Sequence, residues 1–453
     1  MSVDLPIYMD NHATTRVDPR VLEDMLPYFG DQFGNAASRT HEFGWAAESA
    51  VEDAREFTAN ILGAAPKEII FTSGATESSN LAIKGVAQAN LDRGKHIITQ
   101  VTEHHATLDS CSALTRQGFD VTILPVDATG LVDIDLLSNS IRADTILITL
   151  MVANNEVGTI QPISEVGSIC RDKGILFHTD AAQAIGKISI DVDGMGIDLL
   201  SLSAHKFYGP KGVGALYVRN RPRPRVIAQM DGGGHERALR SGTMNVPGIV
   251  GLGSACKVAE QELDTEAYRV RSLRDKLQGK LTAQLGGMRL NGHPEKRLDG
   301  NLNVSFDAVD GESLLMGLKE IALSSGSACT SASLEPSYVL RANVLLLRRW
   351  AARAATPRRG FPWTAGYPVR SRSTRATTGP TVCHPQSRLS RAKTPHPATP
   401  VSARHLPWPS RARGAPRRAR AARSTATPPA SSATTETSVP SAGPAGFEAR
   451  AAA

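Results

Sequence analysis

The 453-residue chain predicts an α/β fold: a large domain built on a mostly parallel sheet, followed by a smaller α+β domain and a disordered basic tail. Three observations lead there. Short β-branched runs alternate with longer amphipathic stretches from Leu5 to about Ala342, the pattern of strands whose crossovers cover both faces of a sheet. The composition is 41% hydrophobic but only 5% aromatic, which suits an α/β core better than a β-sandwich. After residue 342 the periodicity stops.

The strand candidates are EIIFTS (68–73), KHIITQV (95–101), DVTILPV (120–126), DTILITLMV (144–152) and GILFHTD (174–180). LLSLS (199–203) and GALYV (214–218) follow. Helical stretches separate them, among them SSNLAIKGVAQANLDRG and PISEVGSICRDKG, the second with Gly174 as its expected stop. From about residue 263 a charged helix, EAYRVRSLRDKLQGKL, leads to a strand-like GNLNVSF. The expected division is an N-terminal segment (1–15) packing on the small domain, a large domain (16–262), a partial small domain (263–342) and the tail (343–453).

Charge separates body from tail. Residues 1–342 hold 32 basic and 42 acidic side chains, net −10, whereas residues 343–453 hold 19 basic and two acidic, net +17. The tail also carries 15 of the 27 prolines and shows no sustained apolar period, so it buries too little surface to offset its ordering entropy. One reading makes it a basic arm for polyanions. The other makes it a GC-rich gene read out of frame, which fits a break inside an apparently continuing domain.

No run of about 18 apolar residues predicts a membrane span. The opening MSVDLPIYMDNHATT lacks the basic and apolar regions of a signal peptide, so a cytoplasmic location is expected. The five cysteines include no CxxC pair. Cys111, Cys170 and Cys256 read as small buried hydrophobes.

The chemistry gathers at strand ends, where parallel sheets bind ligands. EIIF runs into TSGATESSN, so Gly74, Ala75 and Thr76 offer backbone N–H groups to a phosphate at a helix start. KHIITQV ends in His104 and His105, and TILITLMVA in Asn154 and Asn155. ILFHTD ends at Asp180, with Gln183 three residues on, and LLSLS ends in AHK. An amine such as Lys206 at a buried strand end is costly unless paired or used chemically. An aromatic, phosphate-bearing aldehyde would account for all of them. Lys206 would bond to it covalently, Asp180 would hold its ring nitrogen protonated, and His104 would stack on the ring. Asn155 and Gln183 would bond the ring oxygen, while Thr76, Ser203 and His205 would hold the phosphate. That ligand is pyridoxal 5'-phosphate. A metal centre on His104, His105, His178 and Asp180 lacks the spacing of any metal motif.

Eight ordered stretches between residues 7 and 342 carry a resemblance: YMDNHATTRVDPRV, FTSGATESSNLAIKG, TEHHATLDSC, ANNEVGTIQPI, FHTDAAQAIGK, SLSAHKFYGPKGVGALYV, GGGHERALRSGT and SSGSACTSASLEPSYVLRA. They resemble the cysteine desulfurases of iron–sulfur cluster assembly, class-V aminotransferase-like enzymes of fold-type I. The resemblance implies that Lys206 carries pyridoxal phosphate, Asp180 pairs with its ring nitrogen, and His104 stacks and moves protons. It implies cofactor contacts at Ala75, Thr76, Asn155, Gln183, Ser203 and His205, and at Thr243 toward a neighbouring subunit in a homodimer. Cys329, in the small-residue run SSGSACTSAS, becomes the nucleophile that takes sulfur from L-cysteine, leaving alanine and a persulfide. It also becomes a transient iron–sulfur ligand shared with a scaffold protein. Selenocysteine lyases and aminotransferases are the rivals on the same fold.

One departure stands out. Family members continue past LRA with an SLGR-like arginine motif that grips the substrate carboxylate, and residues 343–453 contain none. Arg348 and Arg349 stand in the wrong context, so an inactive truncated homologue is the alternative reading. Asn11 and His12 are smaller departures from DYSATT-type openings.

Overall fold

The computed structural model describes residues 5–325 and 337–343. Among these, β2 (Ile69–Thr72), β3 (His96–Gln100), β4 (Asp120–Leu124), β5 (Thr145–Thr149), β6 (Leu176–Asp180), β7 (Leu199–Ser203) and β8 (Gly214–Val218) form one sheet in the order β2-β8-β7-β6-β5-β3-β4. Strands β7, β6, β5, β3 and β4 run parallel, and β8 lies antiparallel between β7 and β2. Every run read as a strand in the large domain is one, trimmed at the ends where the chain turns. β1 (Ile7–Tyr8) pairs in parallel with β11 (Ile321–Ala322), and β9 (Met288–Leu290) pairs antiparallel with β10 (Val304–Phe306).

Two apolar layers flank the sheet, because alternate residues of each strand point to opposite faces. Phe71, Ile98, Ile148, Phe177 and Leu200 share one layer with Val21 of α1 (Pro19–Met25), Val51 of α2 (Glu42–Asn60), Val166 of α6 (Ile163–Lys173) and Leu252 of α7 (Val246–Gln284). Ile70, Ile97, Leu147, Leu199 and Leu216 pack on the other face with Leu81 and Val86 of α3 (Ala75–Ala89) and Leu114 of α4 (His105–Thr115). Helix α6 ends as expected, with Gly174 in the left-handed conformation at φ 64°. α5 (Ile134–Asn139) and α8 (Gly311–Gly317) are short. α7 starts well upstream of the charged stretch that announced it and runs unbroken through position 262, the expected domain boundary.

Cys111, Cys170 and Cys256 are buried in these layers, and burial raises all three thiols, Cys111 and Cys256 to about 12. They are inert packing groups. Cys329, Arg348, Arg349, Cys383 and the tail from 344 on lie outside the described residues.

The edge strand β2 is closed by side chains rather than by another strand. Arg55 of α2 donates to the Ile69 carbonyl (2.9 Å) and forks onto both oxygens of Glu236 (2.8 and 2.9 Å), while Glu236 accepts the Phe71 N–H (2.7 Å). The guanidinium carbon also lies 4.6 Å from the Phe71 ring centroid. Both partners are nearly solvent-free, at 6% and 4% side-chain exposure, so neither charge is tolerable alone. Arg55→Met should therefore destabilise the fold by about 3–5 kcal/mol, seen as a lower urea midpoint. Arg55→Met combined with Glu236→Leu should lose clearly less; equal losses would contradict the buried-charge account.

Candidate active site

Because six of the seven sheet strands point the same way, their carboxyl ends gather along one edge, and the predicted residues gather with them. At the β2 end the chain passes through Gly74, whose φ of 148° favours glycine, and enters α3 at Ala75 and Thr76. The first N–H groups of this 15-residue helix have no intrahelical acceptor. Gly214 of β8 lies beside the turn: a Cβ there would fall 2.7 Å from the Gly74 Cα and 2.4 Å from the Leu202 carbonyl oxygen. Ser203 is paired with Gly214 across the sheet. Glu77 ties the turn down, accepting from the Ser73 N–H and from the Arg240 guanidinium, both at 2.8 Å.

Asp180 is buried at the end of β6. One oxygen accepts the Ala182 N–H (2.9 Å), and burial raises its pKa against the pull of His104 and Lys206. His104 caps α4: its Nδ1 accepts the Ala106 N–H (3.1 Å), which leaves the proton of the neutral ring on Nε2. Burial lowers its pKa, and Asp180 acts in the opposite direction. Asn154 is structural, its Oδ1 accepting the Glu156 and Val157 N–H groups (2.9 Å each). Asn155 differs, because its buried Oδ1 has no hydrogen-bond partner.

Lys206 closes the 3-10 turn Ala204–Lys206 after β7, and its Nζ donates to the carbonyls of His12 (2.6 Å) and Ala13 (2.9 Å). Gln183 Nε2 donates to the same His12 carbonyl (2.9 Å). His205 shares a hydrogen bond with Thr14 (3.0 Å); burial and two nearby lysines hold its pKa down to about 4. His12 is held to about 3, by burial and then by Lys187 and Lys206. Thr243 is exposed on the loop that carries Arg240, apart from this cluster. His178 spends both nitrogens on Thr149 (2.7 Å) and Ser201 (2.9 Å).

Several residues here escaped the sequence reading. Glu103, next to His104, is fully buried: Oε1 accepts from Gln100 Nε2 (2.8 Å) and the Met151 N–H (2.7 Å), while Oε2 has no partner. Lys187 donates to Gln183 (2.9 Å), an (i, i+4) spacing visible in QAIGK. The chain on both sides of residues 326–336 is moored nearby. Ser324 donates to Asp10 (2.8 Å), Ser337 to Glu156, and the Tyr338 hydroxyl to the Glu103 carbonyl (2.6 Å). The Tyr338 ring also lies 5.1 Å from that of His105.

These residues fit pyridoxal phosphate. The orphaned Asn155 amide, the Gly74–Gly214 cradle beside a helix start, a buried carboxyl and a lysine at a strand end match its ring oxygen, phosphate, ring nitrogen and aldehyde. Burial raises Glu103 to about 8, so the folded state holds a proton that the unfolded chain releases near 4.5. Stability should therefore fall as pH rises from about 4.5 to about 8, and Glu103→Gln should flatten that decline. Urea midpoints at several pH values across and above this window read the effect, and parallel curves for both proteins would contradict it.

Comparison with known proteins places the chain in a family. Residues 7–348 match the Aminotransferase class-V family. A cysteine desulfurase IscS of Anaeromyxobacter dehalogenans is 60% identical over 338 residues, 75% of this chain and 84% of that protein. A human cysteine desulfurase is 56% identical over 337 residues, 74% of each chain. Among solved structures, a NifS-like protein superposes with TM-score 0.70 at 41% identity, covering 75% of this chain and 90% of its own. SspA in complex with cysteine does so with TM-score 0.67, also at 41% identity, covering 74% and 94%. The chain belongs to the class-V aminotransferase family, among its pyridoxal-phosphate-dependent cysteine desulfurases.

Proposed function

We propose that this chain takes sulfur from L-cysteine, releases L-alanine and holds the sulfur as a persulfide on Cys329 for iron–sulfur cluster assembly or tRNA thiolation. The observation that carries this reading is a convergence. Lys206, Asp180 and His104 act on one another electrostatically at one sheet edge, and the segments flanking the stretch that holds Cys329 are moored to Asp10, Glu156 and Glu103 around it.

Bound pyridoxal phosphate supplies an electron sink for cleavage next to the substrate α-carbon. Lys206 carries it, and its freed amine moves the α-proton, with His104 as the second proton-transfer group. Asp180 holds a proton at the ring nitrogen, Asn155 and Gln183 bond the ring oxygen, and Ala75, Thr76, Ser203 and His205 hold the phosphate. The Cys329 thiolate attacks the substrate sulfur. A sulfur–sulfur bond forms, the carbon–sulfur bond breaks with its electron pair going to carbon, and a proton there completes alanine.

Further parts of the reading concern assembly. Phe29, Phe33, Phe43 and Trp45 are exposed by 65%, 70%, 47% and 55%, and the Phe33 and Phe43 rings stack at 5.5 Å. An apolar patch of this kind supports a homodimer, with Thr243 reaching the neighbour's phosphate. The β1–β11 pair supports an N-terminal segment packed on a partial small domain, residues 263–342. Among the described residues no helix is long and apolar enough to cross a membrane.

Alanine release from cysteine should be lost in Cys329→Ser. Lys206→Ala should show no visible coenzyme band and no borohydride trapping. The same assay on a chain with the frame restored after codon 342 separates defects of the tail from defects of the site. Alanine release unchanged in Cys329→Ser, or absent from the restored chain, would refute the reading.

A further inference from the structure

Gln183 is held from both ends by groups that cannot exchange roles. Lys187 Nζ, which as an ammonium only donates, lies 2.9 Å from Oε1, and the His12 carbonyl, which only accepts, lies 2.9 Å from Nε2. Each contact alone fixes which end of the amide is oxygen, and the two agree. The side chain is 4% exposed, so a flipped amide would face an ammonium with N–H and a carbonyl with oxygen, with no water to relieve either. The His12 carbonyl also accepts from Lys206 Nζ (2.6 Å). The fixed amide thus stands in direct register with the coenzyme-bearing amine.

We infer that Lys187 is a positioning residue that locks Gln183 so that its NH2 group, not its oxygen, meets the coenzyme. Gln183 Nε2 has two protons, and the His12 carbonyl takes one. The second is a donor whose partner must be an acceptor, such as the negatively charged ring oxygen of pyridoxal phosphate. Burial and the Lys206 ammonium push Lys187 down to about 7, yet its nitrogen donates in either protonation state. A neutral amine can also accept, so Lys187 orients the amide as an ammonium, and the His12 carbonyl alone orients it once that proton is lost. This inference rests on the coenzyme reading above but can be tested apart from it.

The test compares the native full-length chain with Lys187→Met and Lys187→Arg. In coenzyme-free protein, the side-chain amide protons of selectively labelled Gln183 should exchange slowly with solvent. Exchange should quicken by about tenfold or more in Lys187→Met, as expected for one lost buried hydrogen bond, and return toward native in Lys187→Arg. Reconstitution with pyridoxal phosphate should show about tenfold weaker binding and a shifted absorption pKa in Lys187→Met alone. A residue that merely supports the fold would lower the thermal midpoint without moving these two readouts. Native-like exchange in Lys187→Met overturns the inference. If neither the native chain nor one with the frame restored after codon 342 takes up coenzyme, the coenzyme reading fails, and the exchange rates still decide the role of Lys187.

Discussion

The direction of the sheet strands is the constraint on which the rest depends. A parallel strand must return through a crossover, so every βα unit delivers its strand to the sheet the same way round. The loops that leave those carboxyl ends are neighbours in space although they are far apart in the chain. His104, Asn155, Asp180 and Lys206 meet for that reason alone. The one reversed strand, β8, adds its own effect. Gly214 at its start brings two bare backbones together beside Ser203, leaving room at the α3 start that any side chain would fill.

Within that space the electrostatics follow from burial. Lys206 donates to the His12 carbonyl and Lys187 to the Gln183 amide that shares it, and Lys206 makes the charge of Lys187 more costly. The loss of water, with the fields of Lys187 and Lys206 at His12 and of Lys206 and Lys211 at His205, keeps both rings neutral. Glu103 and Asp180 are pushed the opposite way, toward their protonated forms, because burial disfavours a charged carboxylate, with Asp180 adding a smaller push to Glu103. The result is a buried site whose acids and bases are shifted toward their uncharged forms, with Glu103 and Lys187 brought near neutral pH. The N-terminal segment takes part through backbone rather than side chains: the His12 and Ala13 carbonyls hold the Lys206 ammonium.

Much of this was legible in the sequence because buried parallel strands are continuous apolar runs, and their ends are marked by abrupt polar residues. The sheet strands, the helix start at Ala75 and the stop at Gly174 were all readable from local pattern. The start of α7 was not. Gly251 and Gly253 disfavour a helix locally, and their close packing against Met25 of α1 and Ala54 of α2 favours one. The two-residue strands β1 and β11 carry no local signal, since each exists only by pairing with the other.

The residues alone determined the chemistry: a lysine after LLSLS, an acid after LFHT and a histidine after a strand have few joint uses besides pyridoxal phosphate. What the tertiary structure decided was the state of those groups. Burial of Glu103 and the His12 carbonyl shared by Gln183 and Lys206 arise between segments far apart in the chain, 171 and 194 positions for the two His12 contacts. Solvation and hydrogen-bond partners belong to positions in space, and no local pattern encodes them.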